Sequence, residues 1–400
     1  MELRRRLHAQ PETSHQEVLT ARAIAEALDD ERCDTVGGGS VMLRLGHGPA
    51  IFLRAEMDAL PIREQTGVSF ASNTGAMHAC GHDVHMAALV AVLRATRRFE
   101  ERLPVPMTGL FQHSEEAYPS GALEVRESGV LEEARAMIAA HVRPDVPQGS
   151  VAATPGFVNA AADSFMISVQ GSAGHAGYPH EANDAVLTLA HIVVSAQQIV
   201  SRRIDPTQGG VMTVAWLRAG AADNTISERA EAGGTIRASD EKARALMRKY
   251  LKEVVENTAI ACGCTAWVHF TEGEPVLFND PDLVKEAQGI LKQLGFGAAP
   301  DTRSFGADDF GYYCDLLPCL MLFVGTRGAS PKANKPLHHP RFLPPDDAVR
   351  AVARSLLAGY LGAARSSAIL DAAAFRGRSY RLGRYVEDTG GHQNEDISAP

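Results

Sequence analysis

The sequence predicts an α/β catalytic domain with a mostly parallel central sheet, into which a smaller α+β unit of ferredoxin-like order is inserted. Two observations carry this. Strand-like apolar runs alternate with helix-period segments up to about residue 161 and again after 274. Between them the order becomes strand–helix–strand–strand–helix–strand, the split βαβ pattern. A third observation is the stretch 77–87 (MHACGHDVHMA), which packs a cysteine, three histidines and an aspartate into one short window.

Taken in order, residues 1–161 form the first part of the catalytic domain. Residues 1–30 read as helical, with Leu3, Leu7, Val18, Ala21, Ile24, Ala25 and Leu28 near helical spacing around a polar break at 11–15. Segment 41–54 reads as two strands around a Gly/Pro turn at 46–49. An apolar helix over 86–99 is followed by a strand over 104–111, running straight into Gln112-His113-Ser114-Glu115-Glu116. A short strand over 136–140 ends on His141. In the insertion, 162–274, strands are expected at 163–170, 210–216, 230–236 and 267–271, and helices at 183–200 and 241–262. The second catalytic part, 275–362, reads as a helix at 281–294, a buried strand at 319–324, a loop over 325–336 leading to Leu337-His338-His339-Pro340, and a final helix at 346–361. Residues 363–400 lack periodicity and read as a loosely ordered tail.

With 45% hydrophobic and 22% charged residues over 400 positions, the chain can bury more than one core. A net charge of −9 gives no basic face for nucleic acid. No apolar run reads as approaching the ~20 residues of a spanning helix. The basic N-terminus lacks an apolar signal core, so a cytoplasmic protein with no membrane partner is expected. Six cysteines are too few for a disulfide scaffold, and Cys262-Gly263-Cys264 has no second pair nearby.

The chemistry starts at Cys80-Gly81-His82. Gly81 lets the backbone turn sharply between thiolate and imidazole. Cys and His together suit zinc, manganese, cobalt or nickel, not calcium or magnesium. Cys80, His82, Glu116, His141 and His338 are the candidate ligands. Five donors are too many for one tetrahedral ion and suit two divalent ions sharing a bridge, for which Cys80 is a suitable group. Adjacent residues on an extended backbone point opposite ways, so one carboxylate of Glu115-Glu116 can bind metal while its neighbour acts as general base. Asp58 is the expected carboxylate partner of a metal-bound histidine. His78 and His85 read as supporting residues. His339 competes with His338, and His180 has no assigned role.

The motifs MHACGHD, FQHSEE, AAHV, GSAGHAGYPH, GADDFG and LHHPRF, in that order, resemble the amidohydrolase branch of the aminoacylase/carboxypeptidase metallopeptidases. That branch includes N-acyl-amino-acid amidohydrolases, hippurate hydrolases and indole-3-acetyl-amino-acid hydrolases. The resemblance runs from residue 1 to about 362. It implies hydrolysis of N-acyl-L-amino acids, a lid domain that also forms a homodimer, Cys80 as the bridging ligand, Glu115 as base and His338 in preference to His339. It further implies that His175 reaches a neighbouring active site to stabilise an oxyanion, and that Asn224 and Arg237 hold the substrate carboxylate. FQHSEE carries His113 and Ser114 where the family pattern usually has Pro and Ala, Tyr118-Pro119-Ser120 replaces a glycine-rich run, Asn224–Ser227 lacks a closing Pro, and GADDFG carries Asp308 where Glu is commoner. A dipeptidase or narrower deacylase, a catalytically silent binding protein, and a single structural zinc at Cys80 and His82 are the competing readings.

Overall fold

The structure, a computed structural model, describes residues 1–329 and 334–370. Its main sheet has eight strands in the order Asp34–Val36, Ser40–Leu45, Met107–Gln112, Ala50–Glu56, Ala134–Pro147, Cys319–Arg327, Ser150–Ala152 and Gly297–Ala298. The central ladders, from Met107–Gln112 through Cys319–Arg327, are parallel. All seven residues of Ala50–Glu56 are buried, as expected of a strand covered on both faces.

Side chains alternate between two cores. Ile51, Leu53, Ile138, Leu320 and Leu322 face a core shared with the helices Glu2–Ala9, Val18–Leu28, His82–Arg97, Pro281–Gln293 and Ala348–Ala363. Phe52, Met137, Met321 and Phe323 face the opposite one, closed by Gly121–Glu127 and Gly311–Cys314.

The inserted layer is a four-stranded antiparallel sheet in the order Gly210–Ala219, Arg229–Ala238, Ala161–Gln170 and Thr265–Glu272. The helices Ala185–Gln198 and Glu241–Ala261 bury one of its faces in a third core. Asp184 and Asp240 cap them by accepting backbone N–H bonds. This is the ferredoxin-like order expected.

Three expectations need correcting. The strand expected to end on His141 runs from Ala134 to Pro147, because Val142 and Val146 remain buried and Cys319–Arg327 pairs along it as far as Pro147. One segment, Ala185–Arg203, is long and apolar enough to cross a membrane by length and composition, with a mean hydropathy of 1.2. It is seated on the inserted sheet through Ala185, Thr188, Leu189, Ile192 and Ala196. The early part of the expected tail is structured: the last long helix reaches Ala363, and Ser367–Leu370 forms another turn. The tail beyond 370 and positions 330–333 of the loop lie outside the described residues.

Candidate active site

The sheet places the candidate ligands together. Gly81 adopts φ 89° as the N-cap of His82–Arg97, so Cys80 ends the turn and His82 starts the helix. A Cβ at Gly81 would come within 2.4 Å of Val142 Cγ2. Glu115 and Glu116 follow the carboxyl end of Met107–Gln112, and His141 lies just past the ladder with Ala50–Glu56, which ends at Ala139. His338 adopts φ 64°, and its backbone N–H donates to Ala79 O at 2.9 Å, pinning the late loop to the Cys80 turn.

A cleft of about 290 Å³ is lined by Cys80, Glu115, Glu116, His141, Asp308 and His338, among others. Cys80 Sγ lies 3.4 Å from His141 Nε2, and Glu116 Oε1 lies 3.3 Å from His338 Nε2. Two donors on one tetrahedral ion at about 2.0–2.3 Å are separated by about 3.3–3.6 Å. Cys80, Glu116 and His338 also offer ligand atoms within 4.8 Å of one another, so the thiol sits between two donor groups. His338 is favoured over His339, whose Nδ1 accepts from Arg341 N.

Tautomers support ligation. His82 Nδ1 donates to Asp58 O at 2.9 Å, and His141 Nδ1 donates to Val142 O at 2.8 Å. Carbonyls only accept, so in its neutral form each ring carries its proton on Nδ1 and offers Nε2 to the centre. His82 Nε2 is buried without a hydrogen-bond partner among the described residues, and Glu116 Oε1 is buried with no hydrogen bond beyond its 3.3 Å approach to His338 Nε2. Buried polar atoms are normally satisfied, and a metal ion would satisfy these. His85 is not a ligand: its Nδ1 donates to Glu56 at 2.8 Å and its Nε2 accepts from Val142 N.

Asp58 braces the centre at three points. Its Oδ2 accepts from Ser14 Oγ at 2.7 Å and Glu116 N at 2.8 Å, and its Oδ1 lies 3.4 Å from His82 Nδ1. The stretch after Gln112 is bent rather than extended, with Ser114 at φ 50°, which corrects the expectation of an extended Glu115-Glu116 pair. The two carboxylates still part company. Glu116 joins Cys80 and His338, and Glu115 approaches His82 Nε2 at 3.9 Å and shares a cluster with Asp308 and Asp309.

The electrostatics are lopsided. Glu56, Asp308 and Asp309 surround the buried Arg54 guanidinium, with Asp309 at 2.5 Å and Asp308 at 3.7 Å. Burial, then the charges of Glu116, Asp308, Asp309 and Asp58, hold the Glu115 pKa well above the usual carboxylate range. Burial and the same two glutamates push the Cys80 thiol up. Burial opposes charge on His82, but Asp58 and Glu56 outweigh it and raise its pKa to about 10. Burial holds His141 well below the ordinary histidine value. This excess of buried negative charge fits bound cations, which would reverse the shifts at Glu115 and Cys80.

His175, Asn224 and Arg237 are not brought to this cleft. His175 is exposed and pairs with Thr225, and Asn224 O accepts from Ala176 N at 3.0 Å beside it. Arg237 is half-buried on Arg229–Ala238, opposite Val211 and Ala162. His180 lies exposed 3.8 Å from Glu181. His78 is buried with neither ring nitrogen hydrogen-bonded among the described residues, and burial lowers its pKa to about 4. Sequence reasoning missed Arg54, Gln112 and Asp309, which knit the floor under Glu115: Gln112 Nε2 and Ser120 Oγ both donate to Asp309 at 2.6 Å. The available signal was a lone arginine inside the apolar run IFLRAE.

A parallel-sheet cleft carrying a Cys/His/Glu donor set and a separate buried carboxylate defines a metal-dependent hydrolase. The chain belongs to peptidase family M20/M25/M40, whose model matches residues 52–358. It is an amidohydrolase of that family, as the motif order implied. It is 33% identical over 355 residues to the N-acetylcysteine deacetylase of Bacillus subtilis (strain 168), covering 87% of this chain and 92% of the relative. It is also 33% identical over 362 residues to the N-acetyldiaminopimelate deacetylase of Streptococcus uberis, covering 87% and 94%. Among solved structures, it superposes on a dinuclear metal-binding peptidase of the M20 family from Bacillus subtilis with a TM-score of 0.79 at 29% identity, covering 90% and 96%.

Proposed function

We propose that the protein hydrolyses the amide bond of N-acyl-L-amino acids, with two divalent ions held by Cys80, His82, Glu116, His141 and His338 and with Glu115 as general base. The observation that carries this is the pair of one-ion donor separations, Cys80–His141 and Glu116–His338, beside a carboxylate that belongs to neither. Both deacetylase relatives are named for N-acetyl amino-acid substrates, which supports the substrate class.

When bound, the ions would polarise the scissile carbonyl and lower the pKa of a water to about 7. Glu115 takes a proton from the attacking water and hands it to the departing amine nitrogen, so the base is regenerated and amine and carboxylic acid leave. Asp58 holds the His82 ring in the tautomer that ligates. His175, Asn224 and Arg237 act from the lid of a second copy: the imidazole N–H meets the developing oxyanion, and the guanidinium fork grips the substrate carboxylate. That role requires a homodimer. Its support is the exposed apolar set Val194, Val211, Trp216 and Leu217 on a helix and an edge strand of the inserted layer.

The deciding experiment is a hydrolysis screen of metal-free protein across N-acetyl, N-benzoyl, long-chain acyl and indole-acetyl amino acids and free dipeptides. Zinc, manganese, cobalt and nickel are added back singly. Turnover of acyl amino acids that depends on added metal is expected. Turnover confined to dipeptides would overturn the substrate class.

A further inference from the structure

We propose that His15, His113 and Glu124 form a separate binding site for one borderline divalent ion such as zinc or nickel. The site lies in a cleft of about 380 Å³ whose lining includes His15, Glu17, Asp34, Gly38 and His113. None of the three proposed ligands lines the catalytic cleft.

The three residues offer ligand atoms that all lie within 4.8 Å of one another. His113 is 2% exposed, and its Nε2 is buried with no hydrogen-bond partner among the described residues. That nitrogen stands 3.6 Å from Glu124 Oε2, close to the roughly 3.3–3.4 Å that separates two N/O donors on one tetrahedral ion.

The neighbours set the tautomers. Ser40 Oγ lies 2.9 Å from His113 Nδ1 and 3.4 Å from Gly37 O; when it donates to the carbonyl it receives His113 Nδ1–H, the tautomer that leaves Nε2 bare for an ion. Ser114 Oγ directs its proton to Glu17 and accepts from His15 N at 2.7 Å and from His15 Nδ1 at 3.1 Å, leaving the other ring nitrogen bare. Gly38, at φ 72°, keeps the space open: a Cβ there would lie 2.6 Å from His113 Nε2 and 1.7 Å from Glu124 Oε2. Two imidazoles and one carboxylate suit zinc, nickel, cobalt or copper and leave positions for water. An ion here would cross-link the N-terminal segment, the strand end that leads to Glu115 and the helix Gly121–Glu127.

The test compares zinc bound per chain at fixed free zinc in the full-length protein, in His15→Ala and in Glu124→Gln. His15 is exposed and Glu124 half-exposed, so neither change opens a core. His15→Ala should bind one zinc fewer while amide hydrolysis is retained, and Glu124→Gln should bind that zinc at least about tenfold more weakly. Copper-loaded protein should lose the resonance signature of two coupled imidazole nitrogens in His15→Ala. Equal zinc content in all three proteins would overturn the site. So would loss of hydrolysis together with the zinc, because the missing ion would then belong to the catalytic centre.

Discussion

At the scale of single residues, Glu115 and Glu116 are neighbours with different surroundings. Glu116 faces His338, whereas Glu115 faces His82 and the Asp308–Asp309 pair. Glu115→Gln should therefore keep its bound metal and lose about 10²–10⁴-fold in kcat, read by turnover and metal content together. Near-normal turnover would remove Glu115 from the mechanism. The pKa directions make a second prediction. Without metal, His82 holds its proton up to about pH 10, and the Cys80 thiol holds its proton beyond its ordinary range. Ligation needs both bare, so metal binding at pH 7 should release protons and weaken as pH falls. Calorimetry in buffers of different ionisation enthalpy reads the protons directly, and pH-independent affinity would contradict the ligand set. The five candidate donors could be picked out because each is a Cys, His or Glu in a distinctive motif. Arg54 and Asp309 could not, because their roles depend on two strands and a turn meeting under Glu115.

Among elements, the N-terminal helix Glu2–Ala9 is tied to the catalytic helix His82–Arg97 by buried charge. Asp83 Oδ2 accepts from Arg4 Nε at 3.0 Å and faces His8 Nδ1 at 3.0 Å, while Arg4 also reaches Pro344 O. Asp83→Asn removes the carboxylate the two cations share, leaving Arg4 with Asp346 and His8 with Glu64, and a loss of ~1–3 kcal/mol of unfolding free energy is expected, measured by denaturant titration. A change under about 1 kcal/mol would show the tie to be incidental. Burial opposes charge on His8, but Asp83 and Glu64 raise its pKa to about 9. A raised histidine stabilises fully below its unfolded value of about 6.5, and that contribution fades as pH climbs through 9. The strand–helix order was readable from periodicity, since long apolar runs report burial on two faces. The overrun of Ala134–Pro147 and the bend after Gln112 were not, since partner strands and a residue at positive φ decide them.

Over the whole molecule, the inserted layer owns a core of its own, separate from the two that flank the main sheet. Chelation should accordingly lower the midpoint of one unfolding transition and leave the other in place, as followed by calorimetry. A single transition that shifts as a unit would mean that the layers are coupled. The proposed homodimer belongs to this scale as well. Sedimentation should show two copies, and His175→Ala should cut kcat while leaving metal content and assembly unchanged. A strictly monomeric active enzyme would leave His175 without a site to serve. The ferredoxin-like order was visible in the sequence because it repeats a simple alternation. The resemblance sent its histidine to a neighbouring active site, and within one chain His175 is exposed and lines no part of the catalytic cleft.

The loop carrying His338 gives the centre a timetable. His338 emerges from the ribosome about 200 residues after His141, an interval on the order of 10–40 s at 5–20 residues per second. The whole inserted layer is synthesised within that interval and can fold on its own core. Cys80, His82, Glu116 and His141 meanwhile lack the strand Cys319–Arg327, which pairs beside His141, and the His338 loop that bonds back to Ala79. The proposed donor set is thus complete only after the last part of the catalytic domain has been made, so metal uptake belongs to the finished chain.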